Sequence, residues 1–526
     1  MQTEKSRHAV LIVGAGLAGC IAALRLADRG IRVALLSSGS EDHPPNSVLA
    51  QGGIIYRACD GNDAARLEED IMTAGHRINN PAAVKFLAGE GPDAVDEILI
   101  DRLDVPFDRI DASRRDLTRE AGHSAARILH CADHTGRSIM ECVGRAVRDN
   151  PCIDLREGCS AVDLLTSHHH SRGTTYRYQL ANRCCGAYVL NEATGIVETM
   201  RADITVLAAG GAGQVYLHTS NSRAATGAGI SMAGRAVVRL MNMEFMQFHP
   251  TTLFYPEPRR FLITEALRGE GARLFAGKDD YFMARYDPRG DLAPRDIVSR
   301  SIVDVLLRSG DPCVFLDLGG VRHDLGKRFP TVLQNCLERG IDIRTEPIPV
   351  VPAAHYFCGG ILVDLKGRSG LDRLYAVGEC ACTGVHGANR LASTSLLEAL
   401  LWGRSAGDDI AARVEAGLDR NDPLYDDIED WKMQGDERND DPALIAQDWA
   451  TIRNTMWNYV GITRTGPRLA RAFDELRDLS RHIHEFYKST PLSRDVLDLF
   501  HGCETAYLIT QAALRNTKDI GCHHRV

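Results

Sequence analysis

Three glycines near the start of the chain have the spacing that a nucleotide-binding turn requires. Gly14, Gly16 and Gly19 follow the apolar residues 9–13 in a G-x-G-x-x-G pattern. Gly14 permits a tight turn, Gly16 lets the backbone approach a pyrophosphate, and Gly19 lets the next helix pack closely on the sheet. Free amides at the start of that helix would bind the phosphates. The pattern therefore predicts a bound dinucleotide.

The same stretch has a competing interpretation as an apolar signal sequence, because Arg25 is the single charge in residues 8–27. The glycine spacing and an immediate second strand over residues 31–36 favour the nucleotide site instead. Where an acidic residue usually binds ribose hydroxyls, at the end of the second strand, the chain has Ser37 and Ser38. The turn alone leaves the identity of the dinucleotide open.

Other polar residues that could do chemistry lie in loops or at the ends of predicted elements. The segment from 243 to 275 combines prolines and aromatic residues with several polar groups of catalytic type. Glu379 ends an apolar strand, where its carboxylate could bind ribityl or ribose hydroxyls. Arg390 precedes a long apolar helix whose free amides could face an electron-rich ring edge. Arg295, considered alone, is more simply explained by a surface salt bridge.

The elements that must position these residues indicate an α/β protein with an inserted domain. Residues 152–200 resemble a β-meander, and residues 203–209 form a buried strand that ends in a second glycine-rich turn. The sequence changes character at 243, where we place a second domain that extends to 354. Beyond 419 an acidic linker leads to helices near 443–460, 465–485 and 493–515, which we expect to form a structural bundle.

Composition restricts the class of protein. The 526 residues are 44% hydrophobic and 25% charged, with a net charge of -9, so neither nucleic acid nor an anionic membrane is expected as a main partner. The 15 cysteines include no C-x-x-C pair, which predicts reduced thiols in the cytoplasm. Three consecutive histidines at 168–170 lack the spacing of a helical ligand pair, so we expect a solvated loop there and no metal site.

Eight motifs, in one order along nearly the whole chain, resemble the flavoprotein family that contains succinate dehydrogenase, fumarate reductase and L-aspartate oxidase. The resemblance implies a doubly wound FAD-binding domain (1–242 and 355–418), an inserted α+β capping domain (243–354) that closes over a C4 dicarboxylate, and a C-terminal helical domain (419–526). The motifs are GAGLAG at 14, AQGG at 50, QFHPT at 247, TEALRGEGA at 264, APRDIVSR at 293, HYFCGG at 355, VGE at 377 and HGANRLASTSLLE at 386.

Three features resemble the aspartate-oxidising branch of this family. The loop REAGHSAARILH places Glu120 where it would meet a substrate ammonium, and VPAAHYFCGG carries a cysteine where succinate dehydrogenases usually have methionine. Asn46 occupies the position of the histidine that binds FAD covalently in other members, so the FAD should be non-covalent. The branch implies oxidation of L-aspartate to iminoaspartate, with oxygen or fumarate as acceptor, in NAD biosynthesis through quinolinate synthase. Direct docking to that enzyme is left open.

The resemblance also assigns roles to individual residues. Arg295 would transfer a proton, although a guanidinium with a pKa above about 12 is poorly poised for this, so an orienting role is kept beside it. The implied catalytic residues are Glu120, His249, Arg295, His355 and Arg390, and the substrate-binding residues are Glu120, Gln247, His249, Thr264, His355 and Arg390. The implied FAD contacts are Gly14, Gly16, Leu17, Ala18, Gly19, Asn46, Ser47, Ala50, Gln51, Gly52, Gly53, Glu379, Ser395 and Leu396.

The chain departs from the family pattern at three positions. Ala228 replaces the aspartate of a T-G-D-G motif, which removes a hydrogen bond and would weaken FAD binding by about 1.5–3 kcal/mol. Ala121 replaces a glycine and could shift Glu120, and Thr394 replaces an asparagine. Two alternative functions stay open: a soluble fumarate reductase or succinate-oxidising flavoprotein, and a non-catalytic flavin-binding protein, which the change at Ala228 motivates.

Overall fold

The computed structural model describes residues 7–38, 44–58, 63–255, 260–277, 280–418, 422–433, 435 and 442–526. The strands are β1 (Arg7–Val13), β2 (Val33–Ser37), β3 (Ile54–Ile55), β4 (Leu117–Thr118), β5 (Ile128–Leu129), β6 (Ile153–Glu157), β7 (Cys159–Thr166), β8 (Cys184–Asn191), β9 (Ile196–Leu207), β10 (Leu240–Met241), β11 (Met246–Leu253), β12 (Arg273–Phe275), β13 (Val314–Asp317), β14 (Ile348–Phe357), β15 (Gly360–Leu362), β16 (Leu374–Ala376), β17 (Ala381–Cys382), β18 (Thr463–Arg464) and β19 (His524–Arg525).

The α-helices alternate with these strands in the first half of the chain and dominate its end. They are α1 (Leu17–Ala27), α2 (Asp63–Ala74), α3 (Pro81–Ala94), α4 (Thr135–Arg148), α5 (Ser167–His170), α6 (Thr174–Arg177), α7 (Ala228–Arg235), α8 (Ala266–Gly269), α9 (Arg295–Ser309), α10 (Leu325–Arg328), α11 (Pro330–Leu337), α12 (Thr394–Glu415), α13 (Leu424–Asp427), α14 (Pro442–Tyr459), α15 (Gly466–Ser489) and α16 (Arg494–Arg515). None of the described helices is both long and apolar enough to span a bilayer.

A seven-stranded sheet carries the glycine turn. Its strand order is β6-β2-β1-β9-β8-β7, with β16 also paired to β9. The pairs β6–β2, β2–β1, β1–β9 and β9–β16 are parallel, whereas the pairs β9–β8 and β8–β7 are antiparallel. Because α1 is apolar almost all round, it is buried on nearly every face between this sheet and α12. The parallel part has the doubly wound arrangement that the sequence predicts.

The inserted domain has a sheet and a hydrophobic core of its own. Its strands β11, β14, β13 and β12 form an antiparallel sheet in that order. A core separate from the main one is built from residues between Leu253 and Val350. The strand β14 continues across the predicted boundary at residues 354 and 355, and we therefore propose to place that boundary after Phe357.

Three expectations about local structure are wrong. The strand at 203–209 is not separate, because β9 runs unbroken from the meander into it. The strand β6 is not part of the meander, since it pairs in parallel with β2. The histidines at 168–170 lie in the short helix α5 and not in a loop, and the side chain of Thr166 caps that helix. Part of the predicted acidic linker lies outside the described residues.

Candidate functional site

One cavity of about 380 Å³ extends from the glycine turn to the inserted domain. The wall near the turn comes from the seven-stranded sheet and α1, and the opposite wall comes from β11, β14 and the start of α9. Of the residues expected to bind FAD, those that line it are Gly14, Gly16, Leu17, Ala18, Asn46, Ser47, Ala50, Gln51, Gly52, Gly53, Glu379, Ser395 and Leu396. The structure thus brings two distant parts of the chain to one shared cavity.

The glycine turn is closed by contacts that admit no side chain. Gly14 has φ +113°, and a Cβ on it would lie 2.2 Å from the carbonyl oxygen of Ala208. Gly19 does not line the cavity, but a Cβ there would lie 2.0 Å from the carbonyl oxygen of Gly14. Gly16 precedes α1 and has no side chain that could cover the start of the helix, where the Leu17 amide donates to Oγ of Ser47 at 3.2 Å.

The polar groups along this part of the cavity fit a dinucleotide. Three buried side-chain oxygens of residues that line it, Oε1 of Gln51, Oδ1 of Asn221 and Oγ1 of Thr226, have no hydrogen-bond partner among the described residues. One carboxylate oxygen of Glu379 accepts a hydrogen bond from the amide of Phe357 at 2.9 Å. Burial raises the pKa of Glu379 to about 7. Unpaired acceptors beside a helix N-terminus suit a ligand with phosphates and hydroxyl groups.

At the other end of the cavity, Arg390 is buried and only partly paired. Its Nη1 donates to Oγ of Ser395 at 3.2 Å, its Nε has no partner within the described part of the chain, and its guanidinium lies 4.6 Å from the ring centre of Tyr356. Burial, with Arg295 nearby, lowers the pKa of Arg390 to about 10. A buried cation with unused donors that faces a cavity is suited to an anionic substrate.

Arg295 belongs to a buried ion chain that the sequence analysis missed. Its Nε donates to Oε2 of Glu265, whose Oε1 accepts from Nη2 of Arg268 at 2.9 Å. Burial alone would raise the pKa of Glu265, but the two guanidinium groups hold it below its usual value. Burial lowers the pKa of Arg268. The chain Arg268, Glu265 and Arg295 fixes the position of Arg295 and links it to a second cation away from the cavity.

Two imidazole rings lie beside Arg295. The ring centres of His249 and His355 are 5.0 Å apart, and both residues line the cavity. Nδ1 of His355 lies 2.9 Å from Oγ of Ser220, and Nδ1 of His249 lies 3.0 Å from the carbonyl oxygen of Thr251. Burial and then the charge of Arg295 lower the pKa of both rings well below 6.5. They are therefore neutral hydrogen-bonding groups at neutral pH.

Glu120 is the acidic group at this end of the cavity that contacts the predicted flavin segment. Its Oε2 accepts a hydrogen bond from Oγ of Ser393 at 2.6 Å. A Cβ on Gly52 would lie 2.3 Å from Oε1 of Glu120, so only glycine at 52 permits the carboxylate to lie there. Burial, with Glu265 nearby, raises the pKa of Glu120.

Gln247 lies behind the cavity and not on its surface, which differs from the expected substrate contact. Its Oε1 accepts from Nη1 of Arg295 at 3.0 Å, and its Nε2 donates to the carbonyl oxygen of Arg390 at 2.8 Å. Asn389 also bonds to Gln247 and to Asp296. Gln247 therefore connects the two arginines and positions them. Thr264 does line the cavity.

The three departures from the family pattern have different settings. Ala228 begins α7 and lines the cavity, with Gly227 before it at φ +83°. Ala121 is buried next to Glu120, and Glu120 still faces the cavity. Thr394 begins α12, and its Oγ1 donates to the carbonyl oxygen of Leu391 at 2.6 Å. At Thr394 and Ala121 the local structure accommodates the change.

Sequence reasoning missed Glu265 and Arg268, although both stand in the quoted motif TEALRGEGA. The three-residue spacing of an acid and a base on a helical turn was an available signal. Ser220 and Ser393 gave no such signal, because their partners His355 and Glu120 are 135 and 273 residues away in the chain.

Comparison with known sequences gives full-length relatives. A family model described as an FAD binding domain matches residues 9–396. L-Aspartate oxidase of Pseudomonas aeruginosa is 42% identical over 530 residues, which is 99% of this chain and 96% of that protein. The enzyme of the same name from Halobacterium salinarum is 39% identical over 99% of this chain and 97% of its own length. The chloroplastic L-aspartate oxidase of Oryza sativa is 37% identical over 99% of this chain and 82% of its own length.

Two solved structures illustrate the similarity in fold. A variant of E. coli quinol fumarate reductase superposes with a TM-score of 0.85 at 27% identity, over 100% of this chain and 92% of that one. Mycobacterium smegmatis Sdh1 in complex with UQ1 superposes with a TM-score of 0.79 at 28% identity, over 99% of this chain and 89% of that one.

Proposed function

This chain belongs to the L-aspartate oxidase family of FAD-binding enzymes, and we propose that it oxidises L-aspartate to iminoaspartate. Its cofactor is FAD. The observation that carries the proposal is the position of Glu120 in the cavity that also contains Arg390, Arg295 and the two neutral histidines. A substrate with two carboxylates and one ammonium matches that set, whereas succinate and fumarate offer nothing to an anionic side chain.

Substrate binding follows from these charges. One carboxylate of aspartate would bind the unused donors of Arg390, and the other would bind the imidazoles of His249 and His355. The ammonium would lie against Glu120, which Ser393 holds next to Gly52. Three anchors on one small molecule fix the direction of its Cα–H bond. Orientation of this kind accounts for roughly 7 kcal/mol or more of barrier lowering.

The cofactor and the protein contribute different parts of the reaction. When bound, FAD would be held by the glycine turn and Glu379 and would supply, at its N5, the two-electron acceptor for the hydride that leaves Cα. The protein must hold the amine so that it has lost one proton when the Cα–H bond breaks, and Glu120 is the carboxylate beside it. Arg295 is held in place by Glu265 and Gln247. Its guanidinium would neutralise the charge on the bound substrate carboxylate.

When the reduced enzyme passes its electrons to fumarate, the same groups would bind a C4 dicarboxylate that has no amine. Fumarate would bind Arg390 and the histidines alone, and Arg295 would be the proton donor to the carbon opposite the hydride. Its proton would be replaced through Glu265 and Arg268, which form a continuous hydrogen-bonded chain away from the cavity. We therefore propose that either oxygen or fumarate reoxidises the enzyme. The similarity to quinol fumarate reductase supports fumarate.

The chemistry of the product indicates which reaction must follow in metabolism. An imine hydrolyses in water, so an enzyme that consumes iminoaspartate has to receive it quickly. We propose that this consumer is quinolinate synthase and that the reaction is the first step of NAD biosynthesis. The names of the relatives support the aspartate-oxidising half of this proposal.

The decisive experiment is an absorbance spectrum of the purified yellow protein before and after anaerobic L-aspartate. Aspartate should bleach the visible flavin band, and air or fumarate should restore it. Succinate serves as the matched ligand because it lacks only the amine. Bleaching by succinate without bleaching by aspartate would favour a succinate-oxidising flavoprotein, and bleaching by neither would favour a non-catalytic flavin-binding protein.

A further inference from the structure

The C-terminal helix α16 reaches the end of the cavity that lies beyond β2. Arg494, Leu497, Asp498 and His501 line the cavity there, together with Ser38. These α16 residues lie about a hundred positions beyond residue 396, where the match to the FAD binding domain ends. A helix that the sequence predicts to be structural therefore forms part of the cofactor cavity.

Arg494 fixes α16 to the sheet at this point. Its Nη1 donates to the carbonyl oxygen of Ser38 at 2.9 Å, to Oγ of Ser160 at 2.9 Å and to Glu192 at 2.8 Å. Its Nε donates to Oδ2 of Asp498 at 2.6 Å. The guanidinium thus holds together the segment after β2, the start of β7 and the carboxylate of Asp498.

Asp498 presents an unused carboxylate oxygen at the cavity. Its side chain is 21% exposed, and Oδ1 makes no hydrogen bond to the described residues, while Oδ2 is held by Arg494. Burial raises the pKa of Asp498 to about 6, so the group is mainly ionised at neutral pH. Because a carboxylate held on one side by an arginine is a fixed acceptor, its free oxygen suits a hydroxyl donor.

This end of the cavity is where a dinucleotide fold places the adenosine ribose, because that ribose binds just beyond the second strand. The chain has Ser37 and Ser38 at that strand end in place of an acid, and Ala228 in place of the aspartate in the T-G-D-G motif. The walls nearby are apolar surfaces of Ala161, Met232 and Leu497, which suit the faces of an adenine ring.

We propose that Asp498 binds the adenosine ribose of FAD, so that α16 supplies the carboxylate that the end of β2 lacks. Among the acidic residues that line the described cavity, Asp498 is connected through Arg494 to the segment after β2. Arg494 is then a positioning residue, since it orients Asp498 and Ser38 together. The proposal concerns the FAD site and does not depend on which substrate the enzyme oxidises.

The test compares FAD with FMN, which lacks the adenosine half, in binding to flavin-free protein. Dissociation constants are measured by quenching of flavin fluorescence for the parent protein and for Asp498→Ala. The variant should bind FAD about ten- to a hundred-fold more weakly and FMN as the parent does. Equal weakening of both ligands, or an unchanged FAD constant, would overturn the proposal.

Two controls keep the result interpretable. Asp495→Ala removes the same charge from an exposed position on the first turn of α16 and should change neither constant. Asp498→Asn preserves the shape and covers the case in which the alanine variant does not fold; it should also weaken FAD alone. Glu41 and Asp42 follow β2 outside the described residues. If Glu41→Ala or Asp42→Ala weakens FAD while both Asp498 variants do not, the ribose contact belongs to that loop and the proposal fails.

Discussion

Oγ of Ser393 donates a 2.6 Å hydrogen bond to Oε2 of Glu120, and both residues are buried. Ser393 has φ +58°, in the left-handed region, and lies directly before α12. A non-glycine residue in that conformation costs about 1 kcal/mol or more, which is tolerated where the surrounding structure requires it. The surrounding structure therefore keeps Ser393 in this strained conformation. Its hydroxyl is thereby placed against the carboxylate of Glu120, to which we assign the substrate ammonium.

Glu120→Gln should impair aspartate oxidation selectively. The amide keeps the shape but has no charge for the ammonium, so kcat/KM for L-aspartate should fall about ten- to a hundred-fold. Fumarate reduction by the same variant should change little, because fumarate has no amine. Steady-state kinetics of both reactions test this. Equal losses in both would mean that Glu120 is structural.

Ser393→Gly should move the pH dependence of aspartate oxidation. The hydroxyl favours the ionised form of Glu120, so its removal raises the pKa of that carboxyl further. Since the carboxylate must be ionised to bind ammonium, the acidic limb of kcat/KM should move to higher pH. Glycine also accepts the left-handed conformation without strain, so thermal stability should be kept. An acidic limb at the same pH as in the parent would contradict the assignment.

Local patterns predicted the strand, turn and helix around the glycine motif, because their signals are close together in the chain. The glycine turn and the start of α1 follow from the spacing of three glycines within a few residues. The pairing of Ser220 with His355 and the approach of α16 to Ser38 depend on contacts between distant segments. Such contacts are set by packing, and packing leaves no period or motif in the sequence.

Glu265→Gln should lower kcat more than it raises KM. The neutral amide leaves Arg295 and Arg268 close together without the negative charge between them, and breaking a buried pair in this way costs about 3–5 kcal/mol. We expect at least a ten-fold loss of kcat and a lower melting temperature. Asp304→Asn, which removes a partner of the exposed Arg308 on the same helix α9, is the control and should keep parent activity. A Glu265→Gln enzyme with parent kcat would exclude the ion chain from catalysis.

Gly19→Ala should abolish FAD retention. The new Cβ would lie 2.0 Å from the carbonyl oxygen of Gly14 and 3.1 Å from Cβ of Ala208, so the turn would have to open. Overpacking of this kind costs about 1–3 kcal/mol. In contrast, the Cβ of Gly89→Ala on α3 would meet no neighbouring atom of the described residues within 4 Å, so this change should stabilise the protein by about 0.5–1 kcal/mol. The flavin-to-protein absorbance ratio and the melting temperature are measured for both variants. Gly19→Ala should lower both, and Gly89→Ala should lower neither.

The FAD should leave the protein completely on denaturation. Asn46 has an amide side chain, which is not a nucleophile, and its Oδ1 accepts a hydrogen bond from the amide of Ser222 at 2.8 Å. Acid precipitation should therefore release all of the yellow absorbance into the supernatant. Asn46→Ala should release it as well, yet should bind FAD more weakly, because the amide of Ser222 loses its partner. Flavin absorbance that stays in the pellet would show that another cavity residue binds the flavin covalently.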